Sequence, residues 1–142
     1  MVADASVIVK WYVVEEHREE ALLLREDYVD GRVRIASPEL MPFEVLNAVR
    51  YSRRDLSPKI LREVARSLHL YGFDLWPLSG EYADLVVELS LSRGITIYDA
   101  SYAALALHLD SPLYTADERL LRALGEDFRG RALHISQYRG AG

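Results

Sequence analysis

The sequence contains no cysteine, so disulfide bonds and thiolate metal ligands are excluded. The phosphate-binding GxxxxGK(S/T) loop and the dinucleotide-binding GxGxxG fingerprint are also absent, so a nucleotide cofactor has no support. There is no GxSxG elbow of the kind that carries a nucleophilic serine. The four histidines show no short metal-ligand spacing. Any chemistry must therefore come from other residue types.

The chain also lacks long apolar runs and an excess of basic residues. No stretch approaches a membrane span, and the N-terminus lacks a basic region followed by a long apolar run, so we expect a cytoplasmic protein. The net charge of −5 argues against a general polyanion-binding surface but allows a local basic patch. Half of the 142 residues are hydrophobic, enough for one core. We predict one domain over residues 1–142, with residues 139–142 as a frayed tail.

Short apolar segments alternate with helical patterns along the whole chain. The predicted strands cover residues 1–3, 33–36, 74–78, 113–115 and 133–135, with residues 95–97 also extended. The predicted helices cover residues 4–14, 17–28, 37–53, 57–71, 80–92, 100–109 and 118–124. This alternation predicts an α/β fold with a mostly parallel sheet of about five short strands, covered by helices on both faces.

Three aspartates stand at the start of predicted helices, and they are Asp4, Asp99 and Asp117. The ordinary interpretation of each is a helix N-cap. Asp4 and Asp117 also follow a predicted strand directly, and in an open α/β sheet the carboxyl ends of the strands share one edge, where ligands bind. Three carboxylates at one edge repel one another unless a cation or protons intervene. The recurrence therefore favours a metal site.

A fourth acid, Glu44, lies in a segment that is otherwise apolar. In residues 41–49 (MPFEVLNAV), only Glu44 and Asn47 are polar. Helical spacing places both on one stripe with Leu40 and Tyr51. A carboxylate in this position is either a half-exposed helix residue or a buried acid that needs a cation, and the sequence leaves both possibilities open.

Four segments of the chain resemble the PIN-domain family, specifically the small single-domain VapC-type toxins. They are VADAS at 2–6 with VKW at 9–11, FEVLNA at 43–48, YDASY at 98–102 with ALA at 104–106, and TADERL at 115–120. The resemblance covers nearly the whole chain and implies a single Rossmann-like domain. It also implies that the four acids bind Mg²⁺ or Mn²⁺ and cut RNA, and that the protein forms a homodimer with a cognate antitoxin blocking its site. One departure is the first strand, because only three residues precede Asp4.

Our hypothesis from these residues is metal-assisted hydrolysis of a phosphodiester bond. Asp4 and Asp99 are the expected direct ligands. Glu44 and Asp117 complete the acidic pocket, either directly or through water. One metal ion or two are both compatible with this set.

Three polar residues are candidates for orienting the ligands or waters, namely Ser6, Asn47 and Thr115. In this hypothesis Asn47 holds Glu44, while the two hydroxyls act near the aspartates. The alternative for each of the three is an ordinary cap or turn residue.

Four basic residues are candidates for contacts with RNA phosphates. They are Lys10, Arg50, Arg53 and Arg54. The arginines close the predicted helix that bears Glu44, and Lys10 follows Asp4 by less than two turns. The alternative is that arginines near a helix C-terminus only complement the helix dipole.

Two other functions compete with a nuclease. An aspartyl-phosphate protein on a similar sheet would be expected to bring a lysine late in the chain, but the only lysines are Lys10 and Lys59. A PIN-like RNA- or protein-binding module without cleavage activity is the stronger alternative. The presence of all four acids argues against such a loss of activity.

Overall fold

Five short strands form the centre of the computed structural model, which describes residues 1–142. They are β1 (Val2–Ala3), β2 (Ala36–Pro38), β3 (Asp74–Trp76), β4 (Leu113–Thr115) and β5 (Ala132–His134). All neighbouring strands are parallel, in the order β3-β2-β1-β4-β5. The central strands β1 and β2 are buried throughout, as apolar strands covered on both faces must be. The predicted parallel α/β sheet is confirmed.

Seven α-helices connect the strands and cover the sheet. They are α1 (Ala5–Ile8), α2 (Arg18–Val29), α3 (Met41–Ser52), α4 (Pro58–Leu70), α5 (Gly80–Arg93), α6 (Ile97–His108) and α7 (Glu118–Leu124). Short 3₁₀ turns occupy Val9–Trp11, Glu126–Phe128 and Ile135–Gln137. Helix α6 is buried over residues 100–106, because it is apolar on almost every side. None of the helices combines the length and apolar character needed to cross a membrane.

The strand order reverses at β1, which has β2 on one side and β4 on the other. The chain builds β1, β2 and β3 outward in one direction, and then returns to add β4 and β5 in the other. This is the doubly wound order in which ligands bind at the switch point, beyond the carboxyl ends of the two central strands. Asp4 follows β1 at this point, and Asp117 lies just beyond the end of β4.

Several predicted element boundaries are wrong. Residues 33–35, predicted as strand, precede β2 without belonging to it. Residues 37–38 belong to β2 rather than to a helix, because the buried Ser37 hydroxyl donates to the Ala3 carbonyl across the sheet. Ile97 begins α6 instead of ending an extended segment, since Thr96 caps this helix. The single helix predicted over residues 4–14 is a one-turn α1 followed by a 3₁₀ turn, consistent with the β-branched run at residues 7–9.

The C-terminal residues return to α2 through the buried side chain of Asp27. Its Oδ2 accepts hydrogen bonds from the Tyr138 hydroxyl (2.5 Å) and the Ala141 N–H (2.8 Å). Its Oδ1 accepts one from Arg32 Nε at 2.7 Å. The Tyr138 and Arg32 hydrogen bonds lower the pKa of Asp27 below its ordinary value. Residues 139–142, expected to be frayed, form no regular element but are attached at Ala141.

Candidate active site

Asp4 and Asp117 lie at the edge where the carboxyl ends of β1 and β4 meet. The Asp4 N–H donates to the Tyr114 carbonyl at 3.0 Å, which continues the sheet pairing past β1. Asp117 is the N-cap of α7, and its Oδ1 accepts hydrogen bonds from the N–H groups of Arg119 (3.0 Å) and Leu120 (3.3 Å). Asp4 occupies the corresponding position before α1, but its side chain makes no capping hydrogen bond. The N-cap interpretation is therefore right for Asp117 and wrong for Asp4.

The Asp4 carboxylate is almost fully buried and is held by two hydroxyls on the same oxygen. Thr115 Oγ1 donates to Oδ2 at 2.6 Å, and Ser6 Oγ donates to it at 2.8 Å. Each hydroxyl oxygen also accepts a hydrogen bond from a backbone N–H group: Thr115 from Asp117, and Ser6 from Ala116. Because a backbone N–H fills an acceptor position of each hydroxyl, the hydroxyl proton is donated to Asp4. Asp4 Oδ1 accepts no hydrogen bond. The two hydroxyls thus bind one carboxylate oxygen of Asp4 and leave the other open.

Glu44 lies on α3, half-buried, and is held by a residue that sequence reasoning missed. The Tyr102 hydroxyl donates to Glu44 Oε1 at 2.6 Å. The prediction that Asn47 holds Glu44 is wrong, because Asn47 is exposed and makes no hydrogen bond to it. In the sequence, Tyr102 cannot be distinguished from the apolar residues of α6 that form the core. Its spacing of three residues from Asp99, which places both on one face of the helix, was the available signal.

Asp99 lies in the first turn of α6 and is not its N-cap. Thr96 holds that position, and its hydroxyl accepts the Asp99 N–H at 3.0 Å. The N-cap interpretation is therefore wrong for Asp99 as well. Its carboxylate does not cap the helix end, and its charge raises the pKa of both Asp4 and Glu44.

Three of the four acids have raised pKa values, and the charges of other acids in the set contribute to each rise. Burial raises the pKa of Asp4, and the charges of Asp99 and Asp117 raise it further, against the lowering effect of the two hydroxyls. Burial likewise raises the pKa of Glu44, with the charges of Asp4 and Asp99 adding to it. The pKa of Asp99 is raised by burial and by the charge of Asp117. The predicted acids thus form one acidic cluster (Asp4, Glu44, Asp99 and Asp117), whose mutual repulsion a cation would relieve.

The chemistry of this acidic cluster fits a hydrated, hard divalent cation. No three His, Asp or Glu side chains converge closely enough to hold a metal ion by themselves. Mg²⁺, however, usually keeps several waters and is bound by one or two carboxylates. Asp4 Oδ1, Glu44 Oε2 and Asp117 Oδ2 accept no hydrogen bond, so carboxylate oxygens are available. The acid-only donor set excludes a site of the imidazole or thiolate kind.

The predicted RNA-binding residues have different surroundings. Lys10 is buried, and its Nζ lies 3.0 Å from Glu15 Oε1. Arg53 forms an exposed ion pair with Asp55. Arg50 stacks on the Tyr51 ring and Arg54 is exposed, and neither has an acidic partner. Of the four, Arg50 and Arg54 are thus the most available to an external phosphate.

A polar cavity of about 550 Å³ adjoins the acidic cluster on the side of Asp117. Its lining includes Ser6, and it combines basic with acidic side chains, namely Lys10, Arg119 and Arg122 with Glu16, Asp117 and Glu118. The two arginines of α7 are not among the predicted RNA-binding residues, although they follow Asp117 by two and five residues. The cavity joins basic groups to the edge of the acidic cluster.

Comparison with known proteins identifies the family. Residues 1–126 match the PIN domain. Ribonuclease VapC3 of Pyrobaculum aerophilum is 34% identical over 129 residues, covering 84% of this chain and 91% of that protein. Two solved structures share the fold. A toxin–antitoxin complex from Klebsiella pneumoniae has a TM-score of 0.63 at 17% identity, covering 94% of this chain and 96% of its own. The structure of FitAB bound to an IR36 DNA fragment has a TM-score of 0.69 at 15% identity, covering 97% of this chain and 96% of that chain. With this fold and this match, the chain belongs to the PIN-domain family.

Proposed function

We propose that this protein is a divalent-metal-dependent endoribonuclease and the toxin of a VapBC-type toxin–antitoxin pair. The observation that carries the proposal is the acidic cluster at the switch point of the sheet, with Asp4 oriented by two hydroxyls. The family membership and the likeness to a protein named ribonuclease VapC support the same activity. The substrate is RNA, and the bond broken is the phosphodiester.

Asp4, Glu44, Asp99 and Asp117 are the residues that would hold a hydrated Mg²⁺ or Mn²⁺, with Asp4 and Asp99 as the direct ligands and Glu44 and Asp117 binding directly or through its waters. When bound, such an ion lowers the pKa of a coordinated water and stabilises negative charge on a phosphate oxygen. Ser6 and Thr115 fix the Asp4 carboxylate before any ligand arrives, which reduces the reorganisation needed on binding. The negative charge of the acidic cluster also repels an RNA phosphate, so the chain binds its substrate productively only when cations are present.

Contacts with the RNA backbone come from cations around the acidic cluster. Arg50 and Arg54 present free guanidinium groups at the C-terminal end of α3. Lys10, buried against Glu15, contributes from within the polar cavity rather than from an exposed rim. Arg53 also belongs to this set, although its guanidinium group must leave Asp55 before it can bind a phosphate.

The proposed partners are an antitoxin and a second copy of the chain. An antitoxin that presents arginine or lysine to the acidic cluster would neutralise it and block the site. The solved Klebsiella pneumoniae structure with the same fold is described as a toxin–antitoxin complex, which supports a partner of this kind. A homodimer is proposed from the family resemblance, and sedimentation equilibrium of the purified chain tests it.

The experiment is cleavage of a mixed structured RNA pool in Mg²⁺, in Mn²⁺ and in EDTA. We expect cutting by the wild type with either metal, none in EDTA, and none by Asp99→Asn, because that change removes one of the proposed ligands. Asp84→Asn is the matched control, since Asp84 is an exposed helical aspartate with no ion pair. Cutting by wild type and Asp99→Asn alike would contradict the site. RNA binding without cutting would favour the non-cleaving RNA-binding alternative.

A further inference from the structure

Tyr102 joins two of the elements that carry the acids. Its side chain is buried at 1% exposure within α6, three residues beyond Asp99. Its hydroxyl reaches across to α3 and donates to Glu44 Oε1. The Tyr102 side chain therefore links α6, which carries Asp99, to α3, which carries Glu44.

Glu44 needs such a restraint more than the other acids do. Its side chain is only half-buried, and the charges of Asp4 and Asp99 act on it. Repulsion and solvation both favour rotation of the carboxylate away from the acidic cluster and into water. The hydrogen bond from Tyr102 opposes this rotation and is the only one that the Glu44 carboxylate accepts.

We propose that Tyr102 is a positioning residue, whose hydroxyl keeps the Glu44 carboxylate in the acidic cluster with Oε2 free for a divalent cation. The inference rests on the proposed function, because it assigns Tyr102 a role toward the metal of that activity. Groups that orient metal ligands in this way typically change metal affinity or activity by about 10- to 100-fold when removed. A purely structural tyrosine would change stability and leave metal affinity unaltered.

The variant is Tyr102→Phe, which keeps the buried ring and removes one oxygen. Tyr138→Phe is the matched control, because Tyr138 is also buried and its hydroxyl also donates to a carboxylate, that of Asp27. Calorimetric titration of each metal-free protein with Mn²⁺ gives the affinity without any turnover. We expect Tyr102→Phe to bind Mn²⁺ about 10-fold more weakly or worse, and Tyr138→Phe to bind it as the wild type does. Circular dichroism verifies that both variants are folded.

A double-mutant cycle then tests whether Tyr102 acts through Glu44. If it does, Tyr102→Phe has little further effect on Mn²⁺ affinity once Glu44→Gln is present, because the carboxylate it positions is gone. Independent, multiplying losses of affinity from the two changes would overturn the proposal, since Tyr102 would then act elsewhere. If the hydrogen bond from Tyr102 also matters in turnover, the rates of RNA cleavage at saturating Mn²⁺ rank the variants in the same order as their Mn²⁺ affinities.

The outcomes separate this inference from the proposed function. Wild-type Mn²⁺ affinity in Tyr102→Phe overturns the role of Tyr102 whether or not RNA is cut. A wild-type protein that binds no Mn²⁺ also overturns it. A wild-type protein that binds Mn²⁺ but cuts no RNA overturns the proposed activity alone, and the affinity comparison between the two tyrosine variants still decides the role of Tyr102.

Discussion

Asp4 accepts both of its hydrogen bonds on one carboxylate oxygen, and this asymmetry determines what the other oxygen can do. With Oδ2 held by Ser6 and Thr115, rotation of the carboxylate is blocked and Oδ1 keeps a fixed direction. Sequence motifs identify the aspartate and the hydroxyls, but they do not reveal that both hydroxyls act on the same oxygen. That pairing depends on β1 and β4 being neighbours, which is a property of the folded sheet.

Thr115→Val removes one of these hydroxyls while keeping the shape of the side chain. We expect RNA cleavage to fall by about 10- to 100-fold, because Asp4 loses an orienting bond. The Asp117 N–H also loses its acceptor, so the free energy of unfolding should fall by about 1–3 kcal/mol. Thr115→Ser, which retains the hydroxyl, serves as the control. Single-turnover cleavage and thermal melts measure the two effects, and full activity in Thr115→Val would contradict the role given to this residue.

We expect ionisation of Asp99 to lower the stability of the metal-free protein. Asp99 has a raised pKa in the folded protein, so its favourable contribution to stability is present below the unfolded pKa of about 4 and is lost as the pH rises through the raised value. Asp99→Asn removes that charge. In EDTA, its melting temperature should exceed that of the wild type at pH 7.5, with the difference vanishing near pH 3.5. A difference independent of pH would show that charge is not the cause.

At the scale of the elements, the sequence predicts most helices and strands but not how they approach one another. The apolar character of α6, the strand at 113–115 and the start of α7 after Asp117 follow from local pattern. The contact between α6 and α3, through Tyr102 and Glu44, joins residues 58 positions apart and has no local signal. The prediction for β2 is wrong for a related reason. Ser37 and Pro38 resemble a helix start in the sequence, and only their position beside β1 in the sheet shows that they belong to a strand.

Thr96 sets the start of α6 and therefore the placement of Asp99 in its first turn. Thr96→Ala removes the hydroxyl that accepts the Asp99 N–H, and we expect a loss of about 1 kcal/mol in the free energy of unfolding. Thr96→Ser keeps the cap and should retain most of the stability. Urea denaturation of the three proteins makes the comparison. Equal midpoints would mean that the hydrogen bond is not needed to begin this helix.

Across the whole molecule, the residues beyond the PIN-domain match are part of the same core. The match ends at residue 126, yet Phe128, Ile135 and Tyr138 are all buried. Strand β5 pairs with β4 over its full length of three residues. The final segment also supplies two of the three groups that satisfy Asp27. A family match can therefore end before the structural domain does.

Strand β5 covers one side of β4, which would otherwise present unpaired backbone groups to solvent. A chain cut after residue 126 would carry Leu113–Thr115 as an open, largely apolar edge, the kind of surface that adds strands from other molecules. We expect this truncated protein to aggregate, whereas removal of residues 139–142 alone should leave a folded, soluble protein. Light scattering after size-exclusion chromatography distinguishes the two, and a well-behaved 1–126 fragment would contradict the expectation. By covering the edge of β4, the last sixteen residues would thus prevent strands of other molecules from pairing with it, a role separate from catalysis.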